Sequence, residues 1–258
     1  MIKKTIEYYL AQKRHRGKSR VMRLLMSVIP FRSLRSHYGP VLCCNPKDKT
    51  NVYAISGDYG HVVSDHVKSL PGDGVFIDVG ANYGLFSFMA AAHMKQVYAF
   101  EPNPAIYPFF VRSMLFNDAA NIVPFHCAIG TEDGFLPLRY DSSHSGKSSL
   151  NTQGEDTGKS FTVPVFNIAS WTVLDELNSA ASIHVKIDVE GYEVGILETL
   201  KQASWYKNIK SIVVEIDDEN IRKFGSSAKD LYALLQADGF TTTIGLTPDK
   251  HYDEIFSR

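Results

Sequence analysis

Cysteine is scarce: Cys43, Cys44 and Cys127 are the three thiols in 258 residues, an odd number at spacings that match no zinc pattern. Neighbouring Cys43 and Cys44 would point to opposite faces of a strand, so no disulfide framework is expected, and reduced thiols in a cytoplasmic protein are. Long apolar runs are also missing. In the N-terminal region the longest, Val21 to Phe31, is broken by Arg23 and interrupted by Pro30, short of the ~18 residues a membrane span needs. No small-residue cleavage pattern follows it, so it does not read as a signal peptide either. Hydrophobic residues at 44% and charged residues at 21% exclude a disordered, collagen-like or coiled-coil chain. A chain of this length forms one large domain, or a domain with an appendage, that buries roughly 70 to 75% of its unfolded surface.

A net charge of -1 conceals an asymmetry. Lys3, Lys4, Lys13, Arg14, Arg16, Lys18, Arg20, Arg23, Arg32 and Arg35 face Glu7 alone in residues 1–37, giving +9 there and leaving -10 for the remainder. Within this basic arm Ile2, Ile6, Tyr9 and Leu10 recur at helical spacing, as do Val21, Leu25, Val28 and Ile29, with Arg20, Arg23 and Ser27 opposite. Two short amphipathic helices separated near Gly17 follow. Their apolar faces either pack on the main domain or adsorb to an anionic membrane surface or polyanionic partner.

Residues 38–73 read as a small cap: strands at Val41 to Cys44 and Val52 to Ser56 around the turn formers Asn45, Pro46, Lys47 and Asp48, then a helix from about Val62 to Leu70 stopped by Pro71. From Gly74 apolar strands alternate with helices. The strands are Val75 to Val79, Gln96 to Phe100, Asn121 to Cys127, Ile183 to Val189 and Ser211 to Ile216; the helices are Leu85 to His93, Ala105 to Asn117, Val194 to Gln202 and Ala228 to Ala237. Such alternation predicts an α/β fold with a mostly parallel sheet covered on both faces. An insert at 134–167 adds two strand-like runs around a polar loop, Asp141 to Lys159, which is either disordered or covers the site.

The first strand ends Asp78-Val79-Gly80-Ala81-Asn82-Tyr83-Gly84. Glycines there let a ligand approach the backbone while the next helix presents free N–H groups. The spacing is G-x-x-x-G rather than the dinucleotide G-x-G-x-x-G, and Asp78 would repel a pyrophosphate. S-adenosylmethionine has no phosphate, and its sulfonium and ammonium are attracted by a carboxylate. Glu101, 23 positions after Asp78 in the run Glu101-Pro102-Asn103, stands where an acid can accept hydrogen bonds from both ribose hydroxyls.

Four segments in order, Phe76 to Gly84 (F-I-D-V-G-A-N-Y-G), Ala99 to Pro102 (A-F-E-P), Lys186 to Glu193 (K-I-D-V-E-G-Y-E) and Ile212 to Glu215 (I-V-V-E), make residues 50–240 resemble the FkbM-type family of S-adenosylmethionine-dependent methyltransferases. The resemblance implies a Rossmann-like fold and O-methylation of sugars, glycan precursors or secondary metabolites. It does not extend to the basic arm. The cofactor set expected from the residues is Asp78, Gly80, Ala81, Asn82, Gly84, Glu101, Pro102, Asn103 and Asp188, with the adenine beside Ala128 and Ile129.

In the fourth strand, alternation puts His184, Lys186 and Asp188 on one face and Ile183, Val185 and Ile187 on the other. A polar row is unexpected in a central parallel strand. Lys186, Asp188, Glu190 and Glu215 are therefore the candidate catalytic residues, against the plainer reading of an ion pair that only orders the strands. Clustered carboxylates raise one another's pKa, suiting Asp188 or Glu190 to act as base with Lys186 placing one of them. Alternatively Asp188, Glu190 and Glu215 hold a divalent cation such as Mg²⁺, and His144 in the polar loop is a third option. The expected partner is a small-molecule or saccharide acceptor. The rival readings are a silent cofactor-binding module recruited by its basic arm and a nucleic-acid methyltransferase. Against the latter, no N-P-P-Y-type tetrad is present and the main domain is acidic, so no nucleic acid is expected.

Overall fold

The computed structural model describes residues 2–13, 15–150, 159–247 and 250–258. Helices α1 (Ile2–Ala11) and α2 (Lys18–Val28) lead into a two-stranded antiparallel ribbon, β1 (Ser33–Arg35) and β2 (Val41–Cys43), followed by α3 (Lys49–Ser56) and α4 (His61–Ser69). The main fold then runs β3 (Val75–Val79), α5 (Leu85–Ala91), β4 (Gln96–Phe100), α6 (Tyr107–Met114) and β5 (Ile122–Phe125). Strands β6 (Ala128–Ile129), β7 (Gly134–Tyr140) and β8 (Lys159–Phe166) form a separate sheet in the order β6-β8-β7. The chain closes with β9 (Ile183–Ile187), α7 (Glu193–Gln202), β10 (Ile209–Ile216), α8 (Asp218–Arg222), α9 (Ala228–Ala237), β11 (Thr241–Thr242) and β12 (Tyr252–Ser257).

The seven-stranded sheet has the order β11-β12-β10-β9-β3-β4-β5. Neighbours from β10 to β5 are parallel, while β12 runs antiparallel to both β10 and β11. The chain winds outward from β3 through β4 to β5, then returns to β9 on the other side of β3. This doubly wound, Rossmann-like arrangement puts its switch point between β3 and β9, where such sheets open a crevice beyond the strand ends.

Both sheet faces are covered, which is why the strands read as apolar runs. Ile183, Val185 and Ile187 of β9 join one core with Ile77, Leu197, Leu231 and Phe256. On the other face Phe76, Val97 and Val213 meet α4 and α5, and the same cluster takes in Ile6, Leu10, Met22 and Met26 from the basic arm. Lys18 is fully buried there, donating to the carbonyls of Leu10 at 2.7 Å and Gln12 at 3.0 Å.

Three sequence expectations change. Residues 52–56, expected as a strand, lie in α3. Asp48 caps this helix by accepting from the Thr50 amide at 2.9 Å, and Gly57 ends it at φ 79. Burial on all sides removed the polar stripe that would have marked a helix. The inward face of α2 also differs: Met22 and Met26 are buried, whereas Val21 and Val28 point to solvent. Last, the antiparallel edge after Ala237 was not anticipated, because β12 (Tyr-Asp-Glu-Ile-Phe-Ser) is half polar and follows an irregular stretch.

Candidate active site

Beyond the ends of β3, β4, β9 and β10 opens a cavity of about 570 Å³, within the size range of small-molecule sites. Its floor is made by two turns in contact. Gly80 has φ 79, and a Cβ on it would collide with the Asp188 carbonyl, so only glycine lets the turn after β3 lie against the turn after β9. Lys186 reinforces that junction, donating to the Gly80 carbonyl at 2.7 Å.

Lys186 is buried between two carboxylates, 3.4 Å from Asp78 Oδ1 and 3.2 Å from Asp188 Oδ2. Burial works against its charge, but Asp188 and then Asp78 outweigh it and hold the ammonium protonated well above its ordinary value. Asp78 accepts a further hydrogen bond from Ser87 Oγ at 2.6 Å and is fully buried, so it stands behind the cavity wall. Gly84 and Asn103 also stand behind it, while Gly80, Ala81, Asn82, Glu101, Pro102, Ala128, Ile129, Lys186, Asp188, Glu190 and Glu215 line it.

At the tip of β4 Glu101 accepts from the Asn82 and Asn103 amides, each at 2.7 Å. Burial pushes its carboxyl up to about 7 while those two N–H groups pull it down. Each carboxylate oxygen keeps a lone pair for a ligand hydroxyl. Across the cavity, Cys127, Ala128, Ile129 and Leu138 form an apolar wall suited to a flat ring.

The opposite end is strongly acidic. One oxygen each of Asp188, Glu190 and Glu215 falls within a 4.8 Å cluster. Glu190 sits at φ 57 just past β9, where Asn220 Nδ2 donates to it at 3.0 Å and Ser149 Oγ donates to its carbonyl at 3.0 Å. Burial, then Glu215 and Asp188, push Glu190 up to about 9. Glu215 is likewise raised by burial and Asp188, but His251 Nε2 lies 2.7 Å from it and opposes the shift; the same contact raises the imidazole. Lys186 offsets Asp188 and His251 offsets Glu215. Glu190, which accepts from the Asn220 amide, is the carboxyl of the cluster raised furthest. All three carboxylates are hard oxygen donors within reach of one divalent cation.

His251 was not anticipated. Its signal lay in the last strand: the register pairs Glu215 with Asp253, which puts residue 251 beside Glu215 once β12 is placed next to β10. Tyr53, Tyr59, Tyr192 and Asn220 are further lining residues without a sequence signal. Part of the insert borders the site. His144 to Leu150 line the cavity, and Asp48 holds that segment by accepting from the Ser145 amide at 3.1 Å and the Tyr83 hydroxyl at 2.8 Å. Residues 151–158 of the expected polar loop lie outside the described residues.

Among known proteins, methyltransferase sdnD of Sordaria araneosa is 27% identical over 236 residues, covering 76% of this chain and 88% of that protein. The 31-O-demethyl-FK506 methyltransferase FkbM of Streptomyces tacrolimicus is 28% identical over 214 residues, covering 70% and 78%. Hexuronic acid methyltransferase AglP of Haloferax volcanii is 26% identical over 168 residues, covering 61% and 63%. Of solved structures, methyltransferase FkbM from Methylobacillus flagellatus KT covers 94% of this chain and 58% of its own, at 12% identity and a TM-score of 0.46. Residues 78–242 match the methyltransferase FkbM domain, a span that runs from Asp78 past Glu215 and so contains the whole strand-end constellation except His251. The chain is an S-adenosylmethionine-dependent methyltransferase and belongs to the FkbM methyltransferase family.

Proposed function

We propose that this methyltransferase acts on a hydroxyl oxygen of a sugar, glycan precursor or secondary metabolite. The observation that carries the reading is the position of Asp188, Glu190 and Glu215 at the switch point, across the cavity from Glu101. Relatives named 31-O-demethyl-FK506 methyltransferase and hexuronic acid methyltransferase support an oxygen acceptor.

In this reading Glu101 holds the ribose hydroxyls, the turn Gly80-Ala81-Asn82 takes the methionine end, and the wall of Ala128 and Ile129 takes the adenine. Pro102 and Asn103 shape the turn that presents Glu101, whose Oε1 the Asn103 amide holds. Asp78 acts through Lys186, keeping that ammonium against Asp188. Bound S-adenosylmethionine supplies an electrophilic methyl group on a sulfonium. The chain must then align the acceptor oxygen and take its proton. Glu190 is the base: an acid raised to about 9 is a far stronger proton acceptor, once ionised, than an ordinary carboxylate. Asp188 and the Glu215–His251 pair fix its charge state, and Asn220 fixes its orientation.

Acceptor screening for release of S-adenosylhomocysteine, after calorimetric titration of the cofactor, tests the proposal. Turnover confined to amine or carbon acceptors would refute it. If chelation abolishes turnover and Mg²⁺ restores it, the three carboxylates serve as cation ligands and Glu190 is not the base.

A further inference from the structure

We infer that the outward face of α2 docks the enzyme on an anionic lipid bilayer. At 100° per residue the helix has one side turned to the core, with Lys18, Met22 and Met26 buried and Leu25 and Ile29 packed beside them. The other side carries two parallel strips. One is aliphatic: Val21, Leu24 and Val28 are 45%, 65% and 73% exposed. The other is basic, with Arg20 and Arg23 flanking the same turns and exposed. Among the described residues no carboxylate forms an ion pair with either arginine.

Aliphatic side chains beside exposed cations on one helix suit a headgroup layer, where the apolar strip enters the acyl boundary and the guanidinium groups meet lipid phosphates. Three exposed side chains on one helix are far less than the ~800 Å² per partner of a stable protein interface, which argues against a second copy of the chain. The charge of +9 over residues 1–37 favours an anionic surface over a neutral one. The face also adjoins the cavity. Tyr53 lines both the site and a surface cleft made with His15, Arg16, Arg20 and Asp58, so Arg20 of this face shares a cleft with a residue of the site. The inference is independent of the acceptor's chemistry.

Sedimentation of the full chain with vesicles decides it. Phosphatidylcholine vesicles containing phosphatidylglycerol should pull the protein down, pure phosphatidylcholine should not, and added salt should weaken the binding. Leu24→Ser with Val28→Ser, and separately Arg20→Glu with Arg23→Glu, should each lower partitioning about tenfold or more while the melting temperature stays within a few degrees. The inference falls if the wild-type chain ignores anionic vesicles or binds both kinds equally. It also falls if folded variants sediment like the wild type. A vesicle-free dimer seen by light scattering and lost with Leu24→Ser would assign the face to a second copy and overturn it too.

Discussion

The two ends of the cavity are built on opposite electrostatic principles. At the end formed by β3 and β4 each carboxylate is matched by a donor: Asp78 accepts from Ser87 and pairs with Lys186, and Glu101, though raised by burial, accepts from two backbone amides. At the end formed by β9, β10 and β12 three carboxylates crowd together, and burial with Glu215 and Asp188 raises Glu190 to about 9. A satisfied network fixes position, which suits a part that must hold a ligand without reacting. A frustrated one stores proton affinity, which suits a part that must take a proton.

Removing the cation that joins the two ends should have the largest effect. Lys186→Met leaves Asp78 buried with Ser87 as its remaining partner, and breaking a buried pair in this way costs about 3–5 kcal/mol. Chemical denaturation should show that loss; a variant as stable as the wild type would mean the matched end does not depend on Lys186. Next, Glu190→Gln and Asp188→Asn should each lower kcat by ~10²-fold or more at nearly unchanged cofactor affinity. The wild-type kcat should rise with pH toward about 9 as Glu190 loses its proton, and Glu190→Gln should abolish that rise. Equal turnover in both variants would erase the distinction between the ends.

Glu101→Ala should weaken cofactor binding by ~1.5 to 3 kcal/mol, read by calorimetry, with kcat at saturating cofactor much less affected. The smallest effect concerns stability. Glu190 binds its proton in the folded chain up to about 9 but releases it near an ordinary carboxylate value when unfolded. Its contribution is thus complete below the unfolded value and is lost as pH rises through the folded one. Glu190→Gln should melt with the wild type at pH 5 and about 2 °C or more above it at pH 9.

The matched end was legible in the sequence because its parts are consecutive: a buried strand, a glycine turn and an acid at the next strand tip. The acidic end was legible only in part. Asp188, Glu190 and Glu215 stand at the ends of strong strands, so their meeting follows from strand order. His251 reaches them from just before antiparallel β12, whose register no local pattern announces. The polar row on β9 also proves to have two meanings. His184, at its base, donates to or accepts from Ser211 at 2.8 Å, and burial and then His66 press its imidazole down to about 4. That half of the row is interior bracing, while its upper half faces the cavity. Residues 52–56 were misread because a helix buried on all sides carries no periodic polar mark.

The contact between Gly80 and the Asp188 carbonyl has a mechanical consequence. Two turns from non-adjacent parts of the chain are pressed together with no side chain between them, and Lys186 clasps the joint from below. Such a joint leaves no room for a side chain, so the turn after β3 and the acid-bearing turn form a single jaw. A bound cofactor therefore speaks to the acids through its charge rather than by moving them, and Gly80→Ala, by wedging the jaw open, should disable both ends at once.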